Sequence, residues 1–126
     1  DGYWSRGLGD VYKRQSLAMI ETEQAVENAE AICSTPGLTG IYVGPSDLAI
    51  SMGEGPGLDR GPGKVYDAIQ HVLTTAKASG IRAGLHCMDP DYIKKMYECG
   101  FDFASLSNDV RLLTQVVTSQ INAVRS

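Results

Sequence analysis

The alternation of strand-like and helix-like segments after residue 15 constrains the fold of this chain more than any other feature. Short apolar runs predict strands, and apolar residues at three- and four-residue spacing predict helices. The predicted strands cover residues 17–20, 38–44, 81–86 and 101–106, and the predicted helices cover 22–32, 65–76, 89–100 and 110–121. Strict alternation of this kind implies parallel strands joined by right-handed helical crossovers.

Four consecutive β-α units predict an α/β fold. Their spacing fits a (β/α)8 TIM barrel, but such a barrel needs about 250 residues, and the chain has 126. The prediction is therefore half of a barrel. A complete doubly wound sheet of four strands is the alternative.

The domain that carries this pattern is predicted to span residues 16–126. Residues 1–15 show no helix or strand period and contain Trp4, the single tryptophan. The end of this segment looks like translated adapter sequence, so we expect residues 1–15 to be irregular and non-native. The alternative is an ordinary mobile N-terminal arm. Since the first residue is Asp1 and not methionine, we also expect an incomplete gene product.

Charge and cysteine content exclude several classes of function. The formal net charge is −4 without a cluster of lysine or arginine, which argues against a nucleic-acid partner and is compatible with a metal cation. No apolar run approaches the roughly 20 residues of a membrane span, so no membrane partner is expected. Cys33, Cys87 and Cys99 are odd in number and lack C-x-x-C spacing, which predicts reduced, packed thiols in a cytoplasmic protein.

Two acidic residues follow the first two predicted strands. Glu21 ends the first strand, and Asp47 comes just after Gly44 and Pro45, which close the second. Parallel strands place both carboxylates at one edge of the sheet, where they repel each other unless a cation lies between them. Mg²⁺ or Mn²⁺ held by one or two carboxylates is the usual solution. The alternative is that both acids only cap the following helices.

Other polar residues near the same edge are weaker candidates. His86 ends the third strand, where it could act as a base, a ligand or a hydrogen-bonded structural residue. Ser107 and Asn108 could contact a substrate or cap the final helix. His71 lies within a helix and is expected at the surface. Cys87 has no third group to orient a Cys-His pair, so covalent catalysis is not expected.

Several segments resemble the signature region of the HpcH/HpaI aldolase/citrate lyase family. They are residues 19–22 (MIET), 25–28 (AVEN), 36–48 (PGLTGIYVGPSDL), 84–86 (GLH) and 100–102 (GFD). The resemblance implies a (β/α)8 barrel of the phosphoenolpyruvate/pyruvate type, of which this chain would be the C-terminal half. It also implies a metal-dependent class II aldolase.

The resemblance assigns roles to individual residues. Glu21 and Asp47 match the two metal-binding acids, Ser46 matches a position that contacts substrate through its backbone, and Gly44 and Pro45 shape the same turn. Met19 stands where many aldolases of the family have glutamine, which removes a polar contact beside the metal. The histidine and arginine of the family's first half have no counterpart here, so the catalytic acid-base residues are expected in a missing N-terminal half.

The function implied is a carbon-carbon lyase. Aldol cleavage or condensation of a pyruvate-derived 2-keto acid and an aldehyde would proceed through a metal-stabilised enolate. The alternatives are a citrate-lyase-like enzyme acting on acyl-CoA thioesters and an inactive truncated fragment with a vestigial metal site. Family members commonly assemble through C-terminal helices, which implies a homo-oligomer at full length. For the helix over 110–121, however, we favour packing on its own sheet.

Overall fold

A computed structural model of the chain describes residues 15–125, so the predicted segment 1–15 lies outside the described residues except for Gln15. The strands are β1 (Leu17–Ile20), β2 (Gly40–Val43), β3 (Arg82–Cys87) and β4 (Phe103–Leu106). The helices are α1 (Glu23–Glu27), α2 (Ala29–Cys33), α3 (Pro45–Ser51), α4 (Lys64–Ala78), α5 (Pro90–Cys99) and α6 (Asp109–Arg125).

The four strands form one parallel sheet in the order β1-β2-β3-β4. Val43 of β2 pairs with Ile20 of β1 and with Leu85 of β3, and Leu85 pairs in turn with Ala104 of β4. A doubly wound sheet reverses its strand order at a switch point, whereas this order follows the chain without reversal. The barrel-type prediction is therefore confirmed and the doubly wound alternative is wrong.

The two faces of the sheet have different surroundings. One face carries the core, where Ile20, Ile41, Val43 and Leu85 are fully buried beneath the helices. Alternate residues point to the other face, which includes Met19 with 53% of its surface exposed. Helices on a single face are the arrangement of a barrel, in which the other face becomes the interior.

The helix predicted over 22–32 is two short helices. The backbone of Asn28 leaves the helical region, with φ −95° and ψ 12°, between α1 and α2. The start of α1 is as the sequence suggests, because Thr22 Oγ1 accepts a hydrogen bond from the Ala25 N–H at 3.1 Å. Helical spacing of apolar residues continues across Asn28, so the periodicity did not reveal the break.

Helix α3 was not predicted. Pro45 was interpreted only as the end of a strand, yet it occupies the first turn of α3, where its missing N–H costs nothing. Seven residues make about two turns, too few for a helical period to be counted. The buried side chains of Leu48 and Ala49 hold α3 against the core.

The loop between α3 and α4 is held by hydrogen bonds at its centre. The Asp59 carboxylate accepts the backbone N–H groups of Met88 at 2.9 Å and Asp89 at 2.8 Å. Tyr92 donates its hydroxyl to the carbonyl of Arg60 at 2.9 Å. These contacts tie the loop to the end of β3 and to α5, which fixes the position of neighbouring Leu58.

Helix α6 differs most from expectation. It begins as predicted, since Asn108 Oδ1 accepts the Arg111 N–H at 2.9 Å. None of its residues is buried, so the expectation that it lies on its own sheet is wrong. Its exposed apolar side chains are Val110, Leu112, Leu113, Val116, Val117, Ile121 and Val124. Within residues 15–125, no helix is long and apolar enough to cross a membrane.

Candidate functional site

The carboxylates of Glu21 and Asp47 converge on the space beside Gly44. Glu21 directly follows β1, and Asp47 lies in the first turn of α3 after β2. A methyl group on Gly44 would lie 3.2 Å from Glu21 Oε2 and 3.9 Å from Asp47 Oδ2. Both oxygens are therefore within 4 Å of one point, and the absence of a side chain at Gly44 keeps that point open.

Neither acid caps a helix. The side chain of Thr22, not that of Glu21, caps α1, and α3 begins at Gly44 without a side-chain cap. Among residues 15–125, neither carboxylate has a hydrogen bond or an ion pair with another side chain. The helix-cap alternative is therefore wrong for both, and their oxygens are available to a ligand.

This donor set fits a hard divalent cation. Mg²⁺ is usually held by one or two carboxylates while water and substrate oxygens complete its octahedron. The described part of the chain has no group of three or more His, Cys, Asp or Glu side chains arranged to hold a metal ion. Glu21 and Asp47 are the two acidic side chains of the described residues that adjoin this space.

A cavity of about 330 Å³ adjoins the two carboxylates. Of the residues predicted to bind substrate, Gly44 and Ser46 line this cavity, whereas Pro45 is fully buried beside it. Its complete lining is Met19, Glu21, Tyr42, Gly44, Ser46, Asp47, Leu58 and His86. The cavity thus joins acidic, apolar and neutral polar side chains at the carboxyl ends of the strands.

Three polar side chains from neighbouring strands meet next to the carboxylates. Tyr42 Oη lies 3.2 Å from His86 Nδ1, and Ser105 Oγ lies 2.5 Å from the same nitrogen. The two hydroxyls also hydrogen-bond each other. Tyr42 and Ser105 were not among the predicted site residues. Tyr42 lies between the core residues Ile41 and Val43, and Ser105 follows Ala104, which packs against the core. Side chains alternate between the two faces of a strand, so this spacing is the sequence signal that would have indicated both residues.

The remaining candidates lie elsewhere. Asn108 caps α6 and lines a separate neighbouring cavity of about 370 Å³ that also involves Ser46 and Leu58. Ser107 is buried with φ 54°, and its hydroxyl has no partner among residues 15–125. His71 is exposed on α4, as expected. Neither Ser107 nor His71 lines the cavity beside Glu21 and Asp47.

The cysteines differ in burial. Cys33 and Cys87 are buried free thiols, as predicted, but Cys99 is exposed. Burial raises the pKa of Cys33, and burial together with the charge of Asp59 raises the pKa of Cys87 to about 12. The thiolate is the nucleophilic form, so the structure gives Cys87 no role as a catalytic nucleophile beside His86.

We expect one rapidly reacting thiol in the native chain. A disulfide reagent such as DTNB at pH 8 should modify Cys99 first, because Cys33 and Cys87 are buried and stay protonated. Denaturation should expose all three thiols. The Cys99→Ser variant should lose the rapid phase, and a second rapid thiol in that variant would contradict the burial of Cys33 and Cys87.

The profile of the HpcH/HpaI aldolase/citrate lyase family matches residues 6–115. The chain is 36% identical over 110 residues to a hydroxypyruvate/pyruvate aldolase of Rhizorhabdus wittichii, covering 87% of this chain and 44% of that protein. It is 30% identical to a 2-keto-3-deoxy-L-rhamnonate aldolase of Klebsiella pneumoniae, covering 87% of this chain and 40% of that protein.

A solved structure has the same fold. It is an HpcH/HpaI aldolase/citrate lyase family protein from Burkholderia cenocepacia, which superposes with a TM-score of 0.83 at 30% sequence identity. The match covers 91% of this chain and 44% of that protein. The chain thus spans less than half the length of the relatives it matches.

Proposed function

This chain belongs to the HpcH/HpaI aldolase/citrate lyase family, and we propose that it carries the metal-binding half of a divalent-metal-dependent aldolase. The reaction proposed is cleavage or formation of a carbon-carbon bond between a pyruvate-derived 2-keto acid and an aldehyde. The similarity to aldolases, two of which act on 2-keto acids by their names, supports this substrate class.

One observation carries the proposal. Glu21 Oε2 and Asp47 Oδ2 converge on the space beside Gly44, and neither carboxylate has a partner among residues 15–125. A cation bound by both carboxylates would neutralise their like charges. When bound, Mg²⁺ or Mn²⁺ would supply positive charge that stabilises the enolate formed in aldol cleavage.

The other residues of the cavity shape the substrate site. Gly44 leaves room between the carboxylates, and Ser46 offers its backbone to the substrate, as the family resemblance implies. Met19 provides an apolar wall with no polar atom beside the cation. We assign no proton transfer to these residues. The groups that move the proton and bind the substrate carboxylate are proposed to lie in a further half-barrel, because the relatives are about twice as long.

We also propose that the complete protein is a cytoplasmic homo-oligomer. The apolar side chains of α6 are 41% to 87% exposed, and an uncovered apolar face of this extent is typical of an interaction surface. This observation supports the assembly through C-terminal helices that the resemblance implies.

A metal titration tests the proposed function. We expect the purified chain, shown to be folded by circular dichroism, to bind one Mn²⁺ in isothermal titration calorimetry. Pyruvate should tighten that binding about tenfold, or about 1.4 kcal/mol, because its carboxylate and carbonyl oxygens occupy coordination positions left to water. Mg²⁺ should compete with Mn²⁺. A folded chain that binds no Mn²⁺, or one whose affinity pyruvate leaves unchanged, would overturn the proposal.

A further inference from the structure

A second cavity adjoins the one beside Glu21 and Asp47. Its volume is about 370 Å³, within the range of roughly 300–1,000 Å³ that small-molecule sites occupy. Ser46 and Leu58 line both cavities, so these two residues form the boundary between them. We call the second one the Arg111 cavity. The rest of its lining is Pro56, Gly57, Met88, Asn108 and Arg111.

The Arg111 cavity lies at the same edge of the sheet as the two carboxylates. Met88 directly follows β3, Asn108 comes two residues after β4, and Arg111 lies in the first turn of α6. These residues stand at the carboxyl ends of the last two strands, as Glu21 and Asp47 stand at those of the first two. The carboxyl ends of barrel strands are where (β/α)8 enzymes bind their substrates.

Arg111 brings a positive charge without a counter-ion to this cavity. Within residues 15–125 it forms no ion pair. Its guanidinium donates a hydrogen bond to the sulfur of Met88, which is a weak and uncharged acceptor. An arginine side chain stays protonated and presents a planar fork of donors that matches a carboxylate or a phosphate. The charge of Arg111 is therefore available to an anionic ligand of the cavity.

The side chains of the cavity, and not the start of α6, offer the donors for an anion. Asn108 Oδ1 accepts the Arg111 N–H at 2.9 Å, and Asp109 Oδ1 accepts the Val110 N–H at 2.8 Å. These amides of the first turn are already occupied. The Ser46 hydroxyl has no hydrogen-bond partner among residues 15–125, so it provides a second donor in the same cavity.

The boundary between the two cavities is fixed in position. Leu58 is followed by Asp59, whose carboxylate accepts two backbone N–H groups at the end of β3. On the other side of Leu58, the carbonyl of Gly57 accepts a hydrogen bond from Arg60 Nε at 3.1 Å. Leu58 is thus held from both sides, and the boundary that it forms with Ser46 is set by the fold.

The two cavities differ in charge in a way that suits the two substrates of an aldol reaction. The first contains two carboxylates, which suit a cation and the keto acid bound to it. The aldehyde must bring its carbonyl carbon next to the enolate, so the remainder of the aldehyde needs a space that adjoins the first cavity. The Arg111 cavity adjoins it across Ser46 and Leu58 and carries a positive charge.

We propose that the aldehyde occupies the Arg111 cavity and that Arg111 is a specificity-determining residue, which binds an anionic group at the end of the aldehyde away from its carbonyl. This inference rests on the proposed function and assigns a charge to the second substrate. Phosphate and carboxylate are the two forms of such a group, and aldehydes that carry one or the other distinguish them.

Inorganic phosphate tests the anion site on the metal-free chain. In the ¹⁵N-labelled protein, the side-chain Nε–H signal of Arg111 is identified by its loss in Arg111→Gln. Phosphate should shift this signal to saturation. The signal of Arg125, which is exposed at the other end of the same helix, should move much less because Arg125 does not line the cavity.

Two pairs of aldehydes test the role of Arg111 in substrate choice. Glycolaldehyde phosphate is compared with glycolaldehyde, and 5-oxopentanoate with pentanal, by calorimetry on the chain loaded with Mg²⁺ and pyruvate. The charged member of at least one pair should bind about tenfold more tightly, because it gains hydrogen bonds between charged groups. Arg111→Gln should remove this preference, whereas Arg125→Gln, which loses the same charge, should keep it.

The outcomes separate this inference from the proposed function. A preference in one pair supports the inference and identifies the group as phosphate or carboxylate. Equal binding within both pairs, or a preference that persists in Arg111→Gln, overturns the role of Arg111 while the metal site stands on its own Mn²⁺ titration. A failed Mn²⁺ titration overturns the proposed function and the aldehyde assignment together. An Arg111 signal that phosphate moves no more than that of Arg125 overturns the anion site whatever the metal result.

Discussion

Glu21→Gln and Asp47→Asn should each weaken Mn²⁺ binding about 100-fold, or about 2.8 kcal/mol. Each change keeps the size of the side chain but removes a negative charge from the pair that converges beside Gly44. Amide oxygens bind hard divalent cations much less strongly than carboxylates, and the remaining single carboxylate has no second charged ligand to act with it. Isothermal titration calorimetry with Mn²⁺, with and without pyruvate, measures the loss.

Asp91→Asn is the matched control for these two variants. Asp91 is an exposed acid on α5 whose carboxylate pairs with Lys94 at 2.7 Å, and it does not line the cavity. Asp91→Asn changes the net charge by the same amount as either site variant and should leave Mn²⁺ affinity unchanged. If Glu21→Gln and Asp47→Asn also bind like the parent chain, the two acids are not metal ligands and the proposed function fails.

Gly40→Ala should cost at least about 3 kcal/mol of the free energy of unfolding. A methyl group at Gly40 would lie 2.4 Å from the carbonyl oxygen of Arg82 and 3.0 Å from its carbonyl carbon. These are backbone atoms, which cannot turn aside as the end of a side chain can. Gly40 also pairs with Leu17 on its other side, so β2 is held between two strands and cannot shift without breaking one ladder.

Urea denaturation followed by circular dichroism measures this effect. Gly61→Ala is the control, because nothing lies within 4 Å of the added methyl group and its backbone φ is not positive. That variant should change stability by no more than about 0.5 kcal/mol. Equal stability of the two variants would show that β2 and β3 do not pair in the register described here.

Local chemistry was sufficient for many elements of the fold. Helix α5 begins after Asp89, whose carboxylate accepts the backbone N–H groups of Asp91 and Tyr92, and it ends at Gly100 with φ 114°. The fifteen residues of α4 give a complete helical period, and Gly80 with φ 71° follows its end. Caps, glycines and periodicity act within a few residues, so the sequence displays them directly.

Caps, glycines and periodicity in the sequence did not reveal short elements or long-range contacts. Helix α3 is too short to show a period, and the break at Asn28 leaves the apolar spacing on both sides intact. The same apolar pattern in α6 was compatible with packing on the sheet and with exposure. Nothing in residues 109–125 reveals which of these occurs, because burial depends on what other elements reach the helix.

The same distinction between local pattern and tertiary structure applies to the candidate site. The sequence alone predicted the order of strands and helices and the parallel sheet. It also predicted that Glu21 and Asp47 follow two neighbouring strands. Tertiary structure decided the strand register, and through it the meeting of both carboxylates beside Gly44 and the contact of Tyr42 and Ser105 with His86. A shift of one residue would turn these side chains to the opposite face. That register depends on pairing and packing between residues 19 to 63 positions apart, which no local pattern records.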